Sequence, residues 1–364
     1  MDPVAAVSYG IAALLALYPT YRAHDAWQRE RRWVQLLEQL PIDGPGEPAR
    51  TNVLEDRFVG CLVGGAIGDA LGRMGESLPS WLVRLRFGTI ADFHPGLLRR
   101  VRAAGSVTDD TQLTLCLARS IGPDGHCDRE MLSRLLIDWY DYRIGPGRAT
   151  TTAVKRLKQG IPWERAGEPN SAGNGTVIRV APIGLVWHRD TERRQQQAEW
   201  SAIGTHRHPL AISGARLIAD AIAFALQRTA ERPPDLIAHL LEHETDRTWR
   251  NALIMVQELN SEMTCKSLRR LGKSGFVVHT VSAALYLFQK LGDRPQAALL
   301  TAANCGGDTD SIGAVLGNLL GAWHGMRALP ERLRRQVQGQ AVLKHEARRL
   351  LAIHRQLYPS ALSS

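Results

Sequence analysis

No two of the five cysteines, Cys61, Cys116, Cys127, Cys265 and Cys305, form a C-x-x-C pair, and their number is odd. This argues against a secreted disulfide framework and against a zinc ribbon. Most of these thiols stand in apolar or glycine-rich sequence and read as reduced, buried side chains of a cytoplasmic protein. No basic stretch precedes the uncharged, Ala- and Leu-rich segment from Pro3 to Tyr21, and no small-x-small cleavage site is obvious. A cleaved signal peptide is therefore not expected. Strict alternation of apolar and polar residues, the mark of a half-buried strand, is scarce. Nucleic-acid motifs are lacking as well. Between Arg327 and Arg355 eight basic residues (Arg327, Arg332, Arg334, Arg335, Lys344, Arg348, Arg349 and Arg355) face only Glu331 and Glu346, and no aromatic residue interleaves them. Such a run is read first as a solvated helix face, and no nucleic-acid partner is expected.

What is present is enough for a large core. The 364 residues are 44% hydrophobic, which suffices to stabilise a fold without disulfides. The net charge is +9, from 45 Lys and Arg against 36 Asp and Glu. Three zones follow from composition: an N-terminal extension and linker over 1–50, a main domain over 51–326, and a basic helical tail over 327–364 packed on that domain. The segment 3–21 approaches the length of a membrane span, about 20 residues, but contains Ser8, Gly10, Pro19 and Thr20. Arg22, Arg29, Arg31 and Arg32 follow it, so insertion would keep the main domain in the cytoplasm. The other expectation is a helix that packs on the domain or on a partner. From Ala26 to Leu40 the spacing of Trp33, Leu36, Leu37 and Leu40 predicts an amphipathic helix. The stretch from Pro41 to Pro48 reads as a linker.

In the main domain the periodic segments are nearly all helical. Ser213 to Leu226, Phe276 to Leu287 and Ile312 to Trp323 each place apolar residues on one face. Gly60, Gly64, Gly68 and Gly72, then Gly313, Gly317 and Gly321, recur at four-residue spacing and would let helices approach closely. The pattern predicts a compact all-α domain of many tightly packed helices.

Two acidic stretches carry the chemistry. Thr108, Asp109, Asp110 and Thr111 precede the helical pattern Leu113, Cys116, Leu117, Ile121. Asp308, Thr309, Asp310 and Ser311 follow two glycines and precede Ile312, Val315, Leu316 and Leu319. Either stretch alone reads as an N-cap. Capping, however, needs one such residue, not four in succession, and the arrangement occurs twice. If the two helix starts face each other, four carboxylates converge and repel. A hard divalent cation resolves the conflict, because Asp oxygens, hydroxyls and waters suit Mg²⁺ or Mn²⁺. Four carboxylates favour two metals over one.

These residues belong to a longer ordered series. Gly68-Asp69-Ala70-Leu71-Gly72 with Glu76 comes first, then Thr108-Asp109-Asp110-Thr111. Gly173-Asn174-Gly175-Thr176 with Arg179, Ala181 and Pro182 is next, then Thr205-His206-Arg207-His208-Pro209. Gly275-Phe276-Val277-Val278-His279-Thr280 and Asn304 with Gly306 to Ser311 close it. In this order the motifs resemble those of the ADP-ribosylglycohydrolases. The resemblance implies an all-α, compact orthogonal multi-helix domain of that type, here with a helical N-terminal extension. It implies two Mg²⁺ or Mn²⁺ held by Thr108, Asp109, Asp110, Asp308, Asp310 and Ser311, with Ser311 where many members carry Thr. Asp310, Glu76 and Asp109 become the expected catalytic residues, and Asn174, Gly175, Thr176, His208, Gly275 and Phe276 the expected substrate-binding ones. Glu76 matches a loop that gates the site in some members, although Arg73-Met74-Gly75 before it departs from the usual pattern. The implied reaction removes ADP-ribose from modified protein side chains, arginine first and serine or another O-linkage as the alternative. A further expectation is an immunity protein that opposes a cognate ADP-ribosyltransferase by hydrolysis or by occlusion with residues 1–50.

Overall fold

Two runs of glycine decide where the centre of the molecule lies. The computed structural model describes residues 25, 28–39, 52–94, 103–227, 235–261 and 264–359. Residues 28–39 form helix α1. There follow α2 (Val53–Gly72), α3 (Ser80–Phe87), α4 (Asp109–Ser120), α5 (Arg129–Trp139), α6 (Arg148–Lys158), α7 (Trp163–Ala166), α8 (Ala181–Val186) and α9 (Thr191–Ile203). The second half holds α10 (Pro209–Leu226), α11 (Leu236–His243), α12 (Arg247–Glu258), α13 (Thr264–Leu271), α14 (Val277–Leu291), α15 (Pro295–Asn304), α16 (Thr309–His324), α17 (Glu331–Gln336) and α18 (Gln340–Leu357). Among the described residues no strand forms; isolated bridges such as Glu76–Gly307 and Gly173–Phe276 pin loops together. The domain is all-α, as the periodicity predicts.

Helices α2 and α16 run antiparallel along the axis of the core, in backbone contact. Gly60 stands opposite Gly321, Gly64 opposite Gly317, Gly68 opposite Gly313 and Gly72 opposite Thr309. A Cβ on Gly68 would lie 1.8 Å from the Gly313 carbonyl oxygen, and one on Gly317 would lie 2.0 Å from that of Gly64. Each helical glycine costs about 1 kcal/mol relative to alanine. Close packing of two almost wholly buried helices offsets that cost. The register has a functional consequence: it sets the end of α2 and the following Glu76 beside the first turn of α16.

Helix α10 starts at Pro209, earlier than the periodicity suggests, because Pro209 suits the first turn and His208 caps it. It is long and apolar enough to cross a membrane, yet 61% of it is buried, as expected of a core helix. The segment 3–21 and the linker 41–48 lie outside the described residues. On α1, the buried Trp33 donates from Nε1 to Gln338 Oε1 at 3.0 Å and stacks on Tyr142 at 5.7 Å. Helix α18 buries Leu343, Ala347, Leu350 and Leu351. Much of the basic run is paired: Arg348 with Glu55, Arg349 with Glu346, Arg335 with Glu331 and Arg332 with Asp92.

Candidate metal and substrate site

A helix begins with donors that nothing inside it accepts, so the start of α4 depends on what lies outside. Thr108 caps it, accepting from Asp110 N at 3.3 Å. The larger tether is Asp69, in the last turn and a half of α2 and wholly buried. Its carboxylate accepts from Thr108 N at 3.0 Å, Thr111 N at 3.1 Å and Thr111 Oγ1 at 2.5 Å. Asp109 N donates to Ile144 O at 2.8 Å, which fixes the loop before α6. The first turn of α4 is thereby bolted to α2.

The start of α16 is fixed to the same helix. Thr309 Oγ1 donates to Gly72 O at 2.5 Å. Gly306 and Gly307 adopt φ of 72° and 90°, conformations open to glycine. They let Gly307 donate to Leu78 O at 2.9 Å and accept from Ser77 N at 2.8 Å. Asp308 N donates to Lys273 O at 2.9 Å, and Asp308 Oδ2 accepts from Asn174 Nδ2 at 2.7 Å. Asn174 also donates to Thr280 Oγ1 at 3.0 Å. The two acidic helix starts and the asparagine loop therefore meet on one scaffold, around a cavity of 660 Å³.

Five carboxylates line it: Glu76, Asp109, Asp110, Asp308 and Asp310. Burial, then the charges of Asp69 and Glu76, hold Asp109 well above the usual carboxylate range. Burial, then Asp109, Asp69 and Asp308, do the same to Asp110, against a hydrogen bond from Ser311. For Asp310 the causes are burial, then Glu76, Asp110 and Asp308. Asp110 Oδ2 and Asp310 Oδ1 are buried and have no hydrogen-bond partner. Unpartnered buried oxygens in a crowd of like charges fit hard divalent cations, which accept carboxylate and hydroxyl ligands and cancel the repulsion. Asp109, Asp110, Asp308, Asp310 and Ser311 are the residues that would hold them, with Thr108 one residue back at the cap.

The structure brings most of the sequence-predicted residues together, though not all. Asn174, Gly175 and Gly275 line the cavity with the acids. Thr176 does not: its buried hydroxyl donates to Ala211 O at 2.7 Å and anchors the loop from behind. His208 is not among the lining residues either. Its Nδ1 accepts from Leu210 N at 3.2 Å as the cap of α10, and the cavity histidine is His206. Phe276 is outside the cavity lining, 37% exposed at the start of α14 and edge-on to His279 at 5.0 Å.

Four contributors carry no assigned role in the sequence reading. Asp69 stands there only as a member of the first motif, Gly68 to Gly72. His206 is buried against Gly173 and Gly175; burial and then Arg179 push its pKa down to about 3, so the ring is neutral. Arg179, fully buried, donates to Gly175 O at 2.7 Å, Ser201 O at 2.9 Å and Thr205 Oγ1 at 2.6 Å. It stiffens the asparagine loop and the histidine loop together. Lys273 lines the cavity and donates to Cys305 O.

Comparison with known proteins agrees with this geometry. A model of the ADP-ribosylglycohydrolase family matches residues 50–360. An uncharacterised protein of Archaeoglobus fulgidus is 33% identical, over 83% of this chain and 98% of its own. The ADP-ribosylarginine hydrolase Tri1 of Pseudomonas putida is 30% identical, over 87% of this chain and 88% of its own. The mouse ADP-ribosylhydrolase ARH3 is 28% identical over 78% and 88%. A solved structure described as an ADP-ribosylglycohydrolase-related protein complex superposes with a TM-score of 0.62 at 28% identity, covering 83% of this chain and 98% of that one. The chain belongs to the ADP-ribosylglycohydrolase family and is a hydrolase.

Proposed function

We propose that this hydrolase cleaves the N-glycosidic bond between ADP-ribose and an arginine side chain of a modified protein. The observation that carries the proposal is the convergence of five carboxylates, two with buried unpartnered oxygens, beside a glycine loop able to face a diphosphate. The Pseudomonas putida relative, an ADP-ribosylarginine hydrolase, supports arginine as the acceptor. Bound Mg²⁺ or Mn²⁺, two by the number of carboxylates, would supply Lewis-acid charge that orients ribose hydroxyls and acidifies water.

The chain's own groups do the rest. Asp109, Asp110, Asp308, Asp310 and Ser311 fix the ribose end of the site. Asp310 or Glu76 takes a proton from the water that adds to the anomeric carbon. The C1″–N bond breaks through an oxocarbenium-like state, and the proton is relayed to the departing guanidine. Asn174 and the Gly175 amide hold the ribose or diphosphate, and neutral His206 closes that wall without adding charge. A cytoplasmic location suits such substrates. Opposition to a cognate ADP-ribosyltransferase is the biological role we favour, with α1 as the described part of the extension.

The test is ADP-ribose release from matched peptides carrying arginine-linked or serine-linked ADP-ribose, with Mg²⁺ or Mn²⁺. Release from the arginine peptide alone is the expected result. Preferential release from the serine peptide would transfer the assignment to O-linked substrates, and release from neither would overturn it.

A further inference from the structure

A second cavity, of 710 Å³, lies between α3, α13 and α15. Lys273 stands on the walls of both cavities, so the two are neighbours. Their charges are opposite. The first is lined by five carboxylates; the second is lined by Arg84, Arg269 and Lys273 and, among the described residues, by no carboxylate. The asymmetry extends beyond the lining. Helix α3 carries Arg84 and Arg86, α13 carries Lys266, Arg269 and Arg270, and none of α3, α13 and α15 contains an acid. The second cavity also has apolar lining residues, Leu268, Leu300 and Cys305. Beside it, Trp81 and Leu85 sit one turn apart on α3 and are 66% and 77% exposed. Helix α3 starts four residues after Glu76, and Lys273 belongs to both linings, so this surface lies beside the first cavity.

We propose that this basic cavity binds an acidic segment of the ADP-ribosylated protein, next to the modified side chain. The inference rests on the function proposed above and adds a substrate preference to it. An extended chain advances about 3.3 Å per residue, so residues close to the modified one must leave the first cavity and pass over a neighbouring surface. Acidic residues of that segment are attracted by the arginines beyond Lys273. Apolar residues of the same segment find Leu268 and Leu300 in the lining and Trp81 beside it. Like-charged segments are turned away, which sets selectivity through repulsion as well as attraction.

Two measurements on the full chain test this. The first compares two peptides with the same ADP-ribosylated arginine, one flanked by glutamates and one by lysines, and uses free ADP-ribosyl-arginine as the reference. The wild type is expected to show a KM about tenfold lower for the acidic peptide at low salt, fading as salt screens exposed charges. The double substitution Arg84→Glu with Arg269→Glu should remove that preference and leave turnover of free ADP-ribosyl-arginine unchanged. The second measurement is fluorescence polarisation with a labelled, unmodified glutamate-rich peptide, which requires no catalysis. Its affinity should fall at least tenfold in the double variant. Equal KM for the two peptides in the wild type, or preference and binding intact in the variant, would overturn the docking proposal. If no arginine-linked substrate is hydrolysed at all, the function proposed above fails, and the labelled peptide still decides whether the cavity binds acidic chains.

Discussion

A single residue, Asp69, holds the acidic centre in place without lining its cavity. It has no exposed surface, and it satisfies the free N–H groups at the start of α4. Asp69→Ala should cost about 3 kcal/mol, since it leaves several buried donors unsatisfied, and should weaken metal binding in the same step. Thermal unfolding with and without Mn²⁺ measures both; a Tm within a degree of wild type would contradict this role. Asp310 behaves oppositely. Without metal its charge adds to a cluster that burial and neighbours already hold above the usual carboxylate range. Asp310→Asn should therefore raise the metal-free Tm by a few degrees and lose most of the metal-induced gain. That gain is about 2.7 kcal/mol at one hundred times Kd in the wild type. The acids themselves were legible because each is coded by a contiguous stretch at a helix start. His206 was not distinguishable from His208, since which of two histidines enters a cavity is decided by where α10 begins.

At the scale of elements, the antiparallel pair α2–α16 places the chemistry. Both glycine runs are visible in the sequence, but their mutual register is a tertiary fact that no local pattern contains. Gly68→Ala should destabilise by more than about 3 kcal/mol, because its Cβ would meet the backbone of Gly313 and Ala314. Gly147→Ala, with open space and a φ of −62°, should be neutral within about 0.5 kcal/mol. Denaturant titration of both variants separates packing from helix propensity. Helices α8 and α18 are joined by a histidine pair, His188 on the α8 side and His354, with ring centroids 4.0 Å apart. Each Nδ1 meets a carbonyl, Leu185 O at 2.8 Å and Val186 O at 2.9 Å, so each ring donates from Nδ1. Burial and then His354 push His188 down to about 3. As pH falls below about 6.5 the unfolded chain takes up a proton that the folded chain refuses. Stability from this group is complete above 6.5 and is lost progressively toward 3, at about 1.4 kcal/mol per pH unit. His188→Gln should flatten the decline by about one proton relative to wild type in the same buffers; an unchanged slope would remove His188 from the account.

Across the whole molecule, periodicity predicts an all-α core, and the structure has one, with much of the basic run near the C-terminus in ion pairs. The excess of nine positive charges reads in the sequence as a property of that run. The fold instead pairs much of the run with carboxylates and brings basic residues of α3 and α13, segments distant in sequence, to the wall of one cavity. That redistribution could not be read along the chain, because it depends on which helices become neighbours. The paired acidic motifs were legible for the opposite reason: each is complete within a few residues and lacks only its partner. The central claim is that their meeting makes a metal-dependent glycohydrolase centre. The direct measurement is ADP-ribose release from an arginine-linked substrate by wild type and Asp310→Ala, stripped of metal and then resupplied with Mn²⁺. The account predicts no release from either protein without metal, restored release in the wild type, and a rate at least about a thousandfold lower in the variant. Full activity in Asp310→Ala, or activity indifferent to chelation, would contradict it.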